Sequence, residues 1–255
     1  MVNNKENKLL GVRIDQLSLD EFIDDTENAI NSDRKILLSC ANPHSLVTAQ
    51  SDSDFMNALN SSDHVVADGA GIILVSNFLG LNKIHRITGH DYFSALMSRA
   101  NAQDKKYKVF FMGSSGKVLN LIEHKTNEVY KNINLVGTYS PPFGDWTEEE
   151  NNKIIDAINL ANPDILWIGM TAPKQEKWMF INKDKLDVSF IGAIGAVFDF
   201  YAGTVKRSPE WACKMGLEWL PRLVREPRRL FRRNFISSPL FLLMVFKEKL
   251  GLMKS

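Results

Sequence analysis

The sequence predicts an α/β fold: a Rossmann-like parallel sheet flanked by helices, followed by a basic, mainly helical C-terminal appendage. Short apolar runs alternate with segments of helical character along most of the 255 residues. These runs are apolar on both faces, which is typical of strands buried in a parallel sheet. Repeated alternation of strand and helix requires right-handed crossovers, which place helices on both faces of the sheet.

The predicted strands and helix starts follow in chain order. Helical segments lie between most of the strands, and two of them begin with a capping box, in which a hydroxyl and a carboxylate satisfy otherwise unpaired backbone donors. These are Ser18 with Glu21 and Thr147 with Glu150, which predict helix starts near residues 18 and 147. The predicted strands are "KILLSC", "HVVAD", "YKVFFMG", "INLVGTY", "DILWIGM" and "VSFIGAIG".

The composition changes near residues 201–207. Residues 205–255 contain 12 Lys and Arg against 4 Asp and Glu, whereas residues 1–204 contain 19 against 26. The formal net charge of +1 therefore combines a core of −7 with a tail of +8. We predict a core domain over residues 1–204 and a basic appendage over residues 205–255.

The appendage joins a basic segment to an apolar one. "EWLPRLVREPRRLFRRN" at residues 218–234 carries six arginines and runs into "FISSPLFLLMVF". Such a block indicates an anionic partner, either nucleic acid or a membrane surface, and a solvated basic face is the alternative. The apolar run has 12 residues, whereas a spanning helix needs about 20, so we expect it to lie on a membrane without crossing it.

The cysteines and the N-terminus predict a cytoplasmic location. Cys40 and Cys213 are far apart and lack any metal-ligand spacing, which favours free thiols over a disulfide. The N-terminal stretch is polar and contains no apolar run of signal-peptide length. Together with the appendage, this predicts a peripheral protein on the inner face of the cytoplasmic membrane.

Polar residues follow the first two predicted strands, where a parallel sheet binds its ligands. Asn42 lies in "CANPHS", which also fits a simple turn with a helix beginning at Pro43. Asp68 closes "VVAD" and is followed by Gly69 and Gly71, which permit close backbone approach by a ligand. A partly desolvated carboxylate there is suited to be a general base, and a helix cap is an equal alternative.

Two later strand ends add candidates for binding phosphate or sugar. "FFMGSSGK" places Gly113 and Gly116 between a strand and a helix, where free amides cradle a phosphate or form an ordinary tight turn. "GMTAPKQEKW" places Lys174 and Gln175 in a first helical turn, within reach of a phosphate or a sugar hydroxyl. Glu176 in the same turn is interpreted as ordinary complementation of the helix dipole.

The sequence offers one further candidate cation, and it lacks the usual patterns of a metal site and of a serine hydrolase. Arg86 in "HRITGHD" is a candidate for a second phosphate clamp. "DSD" at residues 52–54 resembles a metal-binding motif but follows a polar stretch, so we interpret it as a helix cap. The five histidines show no zinc spacing and no GxSxG elbow is present, so we expect neither a metal site nor a serine hydrolase.

Taken in order, the motifs "ANP", "VVADGAG", "RITGHD", "FFMGSSGK", "GMTAPKQE", "GAVFDFYAGTVKRSP" and "GLEWLPRLVREPRRLFRR" resemble the WecG/TagA/CpsF family of bacterial glycosyltransferases, glycosyltransferase family 26. The similarity runs from residue 10 to residue 234. It implies transfer of a sugar, commonly N-acetylmannosamine or a uronic acid relative, from a UDP-sugar donor to a saccharide on an undecaprenyl diphosphate carrier. It further implies anomeric inversion, no metal in at least some members, and a role in cell-surface polysaccharide synthesis.

The resemblance also implies roles for the candidate residues. Asp68 is the candidate base, Asn42 orients a sugar, and Arg86, Gln175 and the turn at residues 113–116 hold the donor or the developing diphosphate. In the appendage, cations bind the lipid diphosphate while an apolar face contacts the bilayer. The arginines that share one side of a continuous helix are Arg222, Arg225, Arg229 and Arg232, and a break at Pro227 is the alternative.

Several alternatives are compatible with the sequence. Asp199 and Arg207 lie in a family motif, but an intramolecular salt bridge would explain them equally well. Many relatives carry Thr where this chain has Cys40, which leaves the donor preference undecided. A non-catalytic, membrane-associated nucleotide-binding protein is the alternative function. Nucleic-acid binding is not expected because no recognised motif is present, and a homo-oligomer is compatible with the sequence.

Overall fold

The computed structural model describes residues 7–32, 34–81, 83–209, 212, 220, 221, 223 and 231–252. Arg222, Arg225 and Arg229 lie outside these residues. Arg232 lies in a described helix, but its side chain is outside the description. The proposed basic stripe on the appendage, and the division of the chain at residue 204, therefore stay predictions.

The centre of the fold is a six-stranded, entirely parallel sheet, as the sequence predicts. A short antiparallel hairpin of β1 and β2 precedes it, turning at Leu10 and Gly11, both with positive φ. The strands lie in the order β4-β3-β8-β7-β5-β6. Their bounds are β1 Lys8–Leu9, β2 Val12–Arg13, β3 Ile36–Ala41, β4 His64–Ala67, β5 Lys108–Gly113, β6 Asn134–Tyr139, β7 Ile165–Gly169 and β8 Phe190–Ala193.

Each of the six predicted strands is present within a residue or two of its predicted bounds. Five are buried, but β6 is half-exposed because it lies at the edge of the sheet, so its prediction as a buried strand is wrong. Strand β8 inserts between β3 and β7, which brings late segments of the chain into the middle of the sheet.

Helices cover both faces of the sheet. Both predicted capping boxes are present, at Ser18 with Glu21 and at Thr147 with Glu150. The helices are α1 Leu19–Asn31, α2 Pro43–Ala49, α3 Ser53–Asn60, α4 Ala70–Leu79, α5 Gly89–Asn101, α6 Gly116–Val129, α7 Glu148–Ala161, α8 Lys174–Asn182 and α9 Val197–Ala202, with a 3-10 turn at Lys183–Lys185.

Neighbouring strand residues send their side chains into different apolar clusters, because alternate residues face opposite sides of a sheet. Phe111 and Trp167 belong to the cluster that includes residues of α1, α5, α6 and α9. Phe110 and Leu166, one residue earlier on each strand, belong to the cluster that includes residues of α7 and α8. A further cluster joins the hairpin, α2, α3 and α4 to β4.

From residue 231 onward, the appendage is largely helical and packs on the core. A π-helix at Arg232–Ser237 continues into α10, Ser238–Lys249. Phe241 and Val245 are buried in the cluster of α2 and α4, and His44 Nδ1 lies 2.8 Å from Ser237 Oγ. Among the described residues, no helix combines the length and the apolar character needed to cross a bilayer.

Candidate active site

Three predicted site residues are adjacent at the carboxyl ends of β3 and β4. The backbone N–H of Asp68 donates to the carbonyl of Ala41, the neighbour of Asn42, at 2.7 Å. Arg86 pairs with Ala67 in an isolated parallel bridge, which places it beside the end of β4. Asp68, Asn42 and Arg86, from three separate motifs, therefore share one corner of the sheet, and each is half-buried there.

The glycines after Asp68 let two helix starts approach this corner. A Cβ at Gly71 would lie 3.0 Å from Pro43 Cγ at the start of α2. Gly69 has a φ of 130°, a conformation that side-chain-bearing residues rarely adopt, and no side chain caps the N-terminus of α4. Gly71 thus allows the starts of α2 and α4 to pack closely. Because neither glycine has a side chain, their peptide groups border the corner directly.

Asn42 has a defined structural role. Its Oδ1 accepts the backbone N–H groups of His44 and Ser45, each at 3.1 Å, and Ser45 Oγ accepts the N–H of Asn42 at 2.7 Å. This reciprocal cap confirms the interpretation of a helix beginning at Pro43. The role of Asn42 in orienting a sugar stays a prediction.

Cys40 lies beneath the corner as a neutral thiol. Burial raises the pKa of this thiol well above its usual value, and the carboxylates of Asp68, Glu176 and Asp91 shift it in the same direction. A neutral thiol is a weak hydrogen-bonding group and a poor nucleophile. Its environment also shows that three carboxylates lie within electrostatic reach of the end of β3.

Gln175 connects the ends of two central strands. Its Oε1 accepts the N–H of Met170, which follows β7, at 3.2 Å and the N–H of Gly195, which follows β8, at 3.0 Å. Its Nε2 donates to Glu176 Oε1 at 2.9 Å. Only 4% of Gln175 is exposed, so its carboxamide joins the ends of β7 and β8 beneath the surface of the protein.

Lys174 is committed to a neighbouring loop. Its Nζ donates to the carbonyl of Gly144 and lies 3.7 Å from the centre of the Trp146 ring. Burial lowers the pKa of Lys174, which is half-buried. The cation therefore fastens the loop after β6 to the start of α8, and the phosphate contact predicted from the sequence stays untested.

The turn after β5 lies on the other half of the sheet edge. Gly113 has a φ of 121°, and a Cβ there would lie 2.5 Å from the carbonyl oxygen of Gly169 at the end of β7. Gly116 begins α6 and has open space around it. Ser115 Oγ caps the helix by accepting the N–H of Val118 at 3.4 Å. The glycine at 113 is thus required by strand packing, while the space at 116 suits a bound group.

Arg207 pairs with Asp91 and not with Asp199. Its Nη2 lies 3.5 Å from Asp91 Oδ1, and its Nη1 lies 3.1 Å from His90 Nδ1. Asp199 Oδ1 accepts the hydroxyl of Thr204 at 3.3 Å. The intramolecular salt bridge suggested from the sequence is therefore made by Arg207 with Asp91, and it connects the segment after α9 to the start of α5.

Comparison with known proteins identifies the family of this chain. The model of the glycosyl transferase WecG/TagA/CpsF family matches residues 7–255. The chain belongs to the WecG/TagA/CpsF family. A Bacillus subtilis (strain 168) protein is 31% identical over 234 residues, which are 91% of this chain and 88% of the relative. Proteins of Staphylococcus aureus strains MW2 and NCTC 8325 / PS 47 are 24% identical over 255 residues, which are 99% of this chain and 97% of each relative.

All three relatives carry the same name, N-acetylglucosaminyldiphosphoundecaprenol N-acetyl-beta-D-mannosaminyltransferase. As a member of the WecG/TagA/CpsF family, the chain is a glycosyltransferase, which confirms the recognition made from the sequence motifs. The match extends from the first strands through α10, so the described appendage helix belongs to the family's region of similarity.

In this glycosyltransferase, the candidate groups lie along one edge of the sheet. Asn42, Asp68 and Arg86 lie at the β3–β4 side, Gln175 in the middle, and the turn at residues 113–116 beyond β7. Neighbouring strands are about 4.8 Å apart, so β4 and β5, four spacings apart, span about 19 Å. The edge is long enough for an extended ligand, with the carboxyl of Asp68 near one end and the turn at residues 113–116 near the other.

Glu176 is the group that sequence reasoning missed. Only 1% of it is exposed, and among the described residues its Oε2 has no hydrogen-bond partner. Burial raises the pKa of Glu176 to about 7, although hydrogen bonds from Gln175 and from the backbone lower it. A glutamate in a first helical turn usually lies at the surface and complements the helix dipole. The only sequence feature that indicates burial of Glu176 is its position between Gln175 and the buried Trp178.

The "DSD" motif is a helix cap, as expected. Asp52 Oδ1 accepts the N–H of Phe55 at 3.0 Å, and its Oδ2 pairs with Lys177 at 2.7 Å. In the part of the chain that the structure describes, no group of three or more His, Cys, Asp or Glu side chains is placed to hold a metal ion. That transfer proceeds without a metal stays a prediction.

Proposed function

We propose that this chain transfers an N-acetylmannosamine-type hexose, with inversion and without a metal, from a UDP-sugar to a saccharide on undecaprenyl diphosphate. The reaction would serve the synthesis of a cell-surface polysaccharide. The relatives support this substrate pair, because their shared name specifies an N-acetylmannosaminyl group and an N-acetylglucosaminyldiphosphoundecaprenol acceptor. The observation that carries the proposal is the corner where Asp68, Arg86 and Asn42 are adjacent.

Asp68 acts as the base. In inverting transfer, an acceptor hydroxyl attacks the anomeric carbon from the side opposite the diphosphate. The new C–O bond forms as the bond to UDP breaks, the hydroxyl proton passes to the carboxylate, and the electron pair leaves on a diphosphate oxygen. Asp68 suits this role because it is half-buried at a strand end, beside a site opened by Gly69.

Cations and backbone amides stabilise the charge that develops on UDP. Arg86 lies beside the end of β4, and no side chain caps the N-termini of α4 and α8, whose positive dipole ends favour an anionic ligand. Gln175 holds the backbone after β7 and β8 in place. The turn that contains Gly113 and Gly116 extends this row of amides toward β6.

The membrane surface supplies the acceptor. On α10, Leu242, Leu243 and Phe246 are about half exposed, and Leu74 and Phe78 on α4 extend the same kind of surface. The two helices are joined where Lys249 Nζ donates to the carbonyl of Phe78 at 2.7 Å. Such an apolar face, flanked by lysines and preceded by the arginine-rich segment, fits peripheral binding to the inner face of the cytoplasmic membrane.

The test is turnover in EDTA with a panel of UDP-sugars and a short-chain prenyl-diphosphate N-acetylglucosamine acceptor. UDP release and product mass are measured together. Acceptor-dependent product from one donor is the expected result. UDP binding without product from any donor–acceptor pair would favour the non-catalytic alternative, and product only after addition of divalent ions would contradict metal-free transfer.

A further inference from the structure

Glu176 occupies a position that ordinary helix capping does not explain. It lies in the first turn of α8, and 1% of it is exposed. One of its oxygens accepts from Gln175, and among the described residues the other has no partner. A buried carboxyl with an unused oxygen is destabilising, so a solely structural role would be better filled by an apolar residue.

The orientation of Gln175 is fixed by its neighbours. Its Oε1 faces two backbone N–H groups, those of Met170 and Gly195, so only Nε2 can face Glu176. Gly195 has a φ of 54°, and a Cβ there would lie 3.2 Å from the carbonyl oxygen of Met170. The Glu176 carboxyl, the Gln175 carboxamide and the backbone after β7 and β8 are therefore connected by hydrogen bonds.

We propose that Glu176 is a positioning residue for glycosyl transfer, holding the Gln175 carboxamide so that the backbone after β7 and β8 keeps the geometry that receives the UDP-sugar. This inference rests on the proposed function, since it assigns the donor to this edge of the sheet. The ionised carboxylate holds Gln175 best, because a charged acceptor makes the stronger hydrogen bond. Protonation of the unpartnered Oε2 weakens that bond.

Among the described residues, no cation pairs with this carboxyl. The thiol of Cys40 on β3 lies within electrostatic reach of Glu176, and also of Asp68 and Asp91. On α8 itself, Lys177 is paired with Asp52 of α3. Burial raises the pKa of Glu176 to about 7, so the fraction of enzyme with a well-held Gln175 increases as pH rises through neutrality.

The experiment compares Glu176→Gln, Glu176→Leu and Glu148→Gln. Glu148, in the first turn of α7, is exposed and serves as the matched control. Glutamine keeps an oxygen that accepts from Gln175 but does not titrate, whereas leucine removes the acceptor. We measure kcat and donor KM between pH 5.5 and 9, a range spanning roughly two units on each side of the transition, and UDP binding by calorimetry.

We expect Glu176→Gln to keep kcat within about fivefold at high pH and to lose the rise of kcat/KM near pH 7. Glu176→Leu should weaken UDP binding at least about tenfold, which corresponds to about 1.4 kcal/mol. An unchanged pH profile in a folded Glu176→Gln would overturn the proposal, even if the leucine variant does not fold. If wild type shows no transfer, the proposed function fails, and UDP binding that is equal in all variants at each pH separately refutes the positioning role.

Discussion

His64 is the centre of a buried hydrogen-bonded chain at the amino end of the sheet, away from the site. Its Nδ1 lies 2.8 Å from the hydroxyl of Tyr92, which is 2.6 Å from Thr26 Oγ1, and its Nε2 lies 3.0 Å from Asp25 Oδ2. With a neutral imidazole, Thr26 donates to Tyr92, Tyr92 to His64, and His64 to Asp25. Every member of the chain then has a partner, which stabilises the packing of α1 and α5 on β4.

This chain makes stability depend on pH. Burial lowers the pKa of His64 below its ordinary 6.5, although hydrogen bonding to Asp25 raises it. The unfolded chain therefore binds more protons below about pH 6.5, and the free energy of unfolding should fall as pH decreases from there. Urea denaturation between pH 7.5 and 5 measures the slope. In His64→Gln, less stable at pH 7.5, the slope should be smaller; an equal slope would exclude His64 as its source.

At the residue scale, the sequence predicts which residues belong to the candidate site better than it predicts which side chains contact each other. Asp68 is a candidate because it ends a predicted strand, and Arg86 because it follows another short segment in "HRITGHD". A bridge to Ala67 brings Arg86 to the end of β4. The burial of Glu176 and the pairing of Arg207 with Asp91 depend on how α8 and α5 pack. No local pattern encodes that packing, so these two features could not be predicted.

At the element scale, α10 is apolar on both of its sides. Phe241 and Val245 are buried against α2 and α4, while Leu242 and Phe246 face outward. A helix with one buried and one exposed apolar side needs a second apolar partner. The exposed side is the surface that we assign to the bilayer.

Charges on the outer side of α10 should abolish membrane binding without unfolding the protein. Leu242→Glu with Phe246→Glu is expected to weaken binding to vesicles that contain anionic lipid at least about tenfold, because the buried apolar area and the attraction are both lost. Vesicle co-sedimentation measures it. Leu160→Glu on α7, 91% exposed, is the control and should bind as wild type. Equal loss in the control would point to a general charge effect.

The strands were predictable at this scale because each is a short apolar run bounded by turn residues. The order of the strands could not be predicted, because β8 inserts between β3 and β7 and only tertiary pairing determines that position. The exposure of β6 follows from its edge position and is likewise absent from its local sequence.

At the scale of the whole molecule, charge is divided between the two parts of the chain. The predicted core carries −7 and the predicted appendage +8. Under the proposed membrane binding, an anionic surface would attract the appendage and repel the core, which would orient the molecule. Each lysine or arginine near such a membrane contributes about 1 kcal/mol at physiological ionic strength, and salt screens this attraction.

Binding should therefore depend on both lipid charge and salt. We expect binding to vesicles with anionic lipid to weaken steeply between 50 and 500 mM NaCl, over which the screening length falls to about 4 Å. Binding to zwitterionic vesicles should be weak at each salt concentration. Vesicle flotation at matched lipid concentration measures both. Salt-independent binding to zwitterionic vesicles would assign the interaction to the apolar face alone.

The most direct test of the central claim is turnover of Asp68→Asn in EDTA against wild type, with UDP binding measured on the same samples. We predict a loss of about 10²–10⁴ in kcat, the typical contribution of a general base, with UDP binding and the urea midpoint nearly unchanged. Wild-type turnover in a folded Asp68→Asn would contradict the assignment of Asp68 as the base that accepts the acceptor's proton.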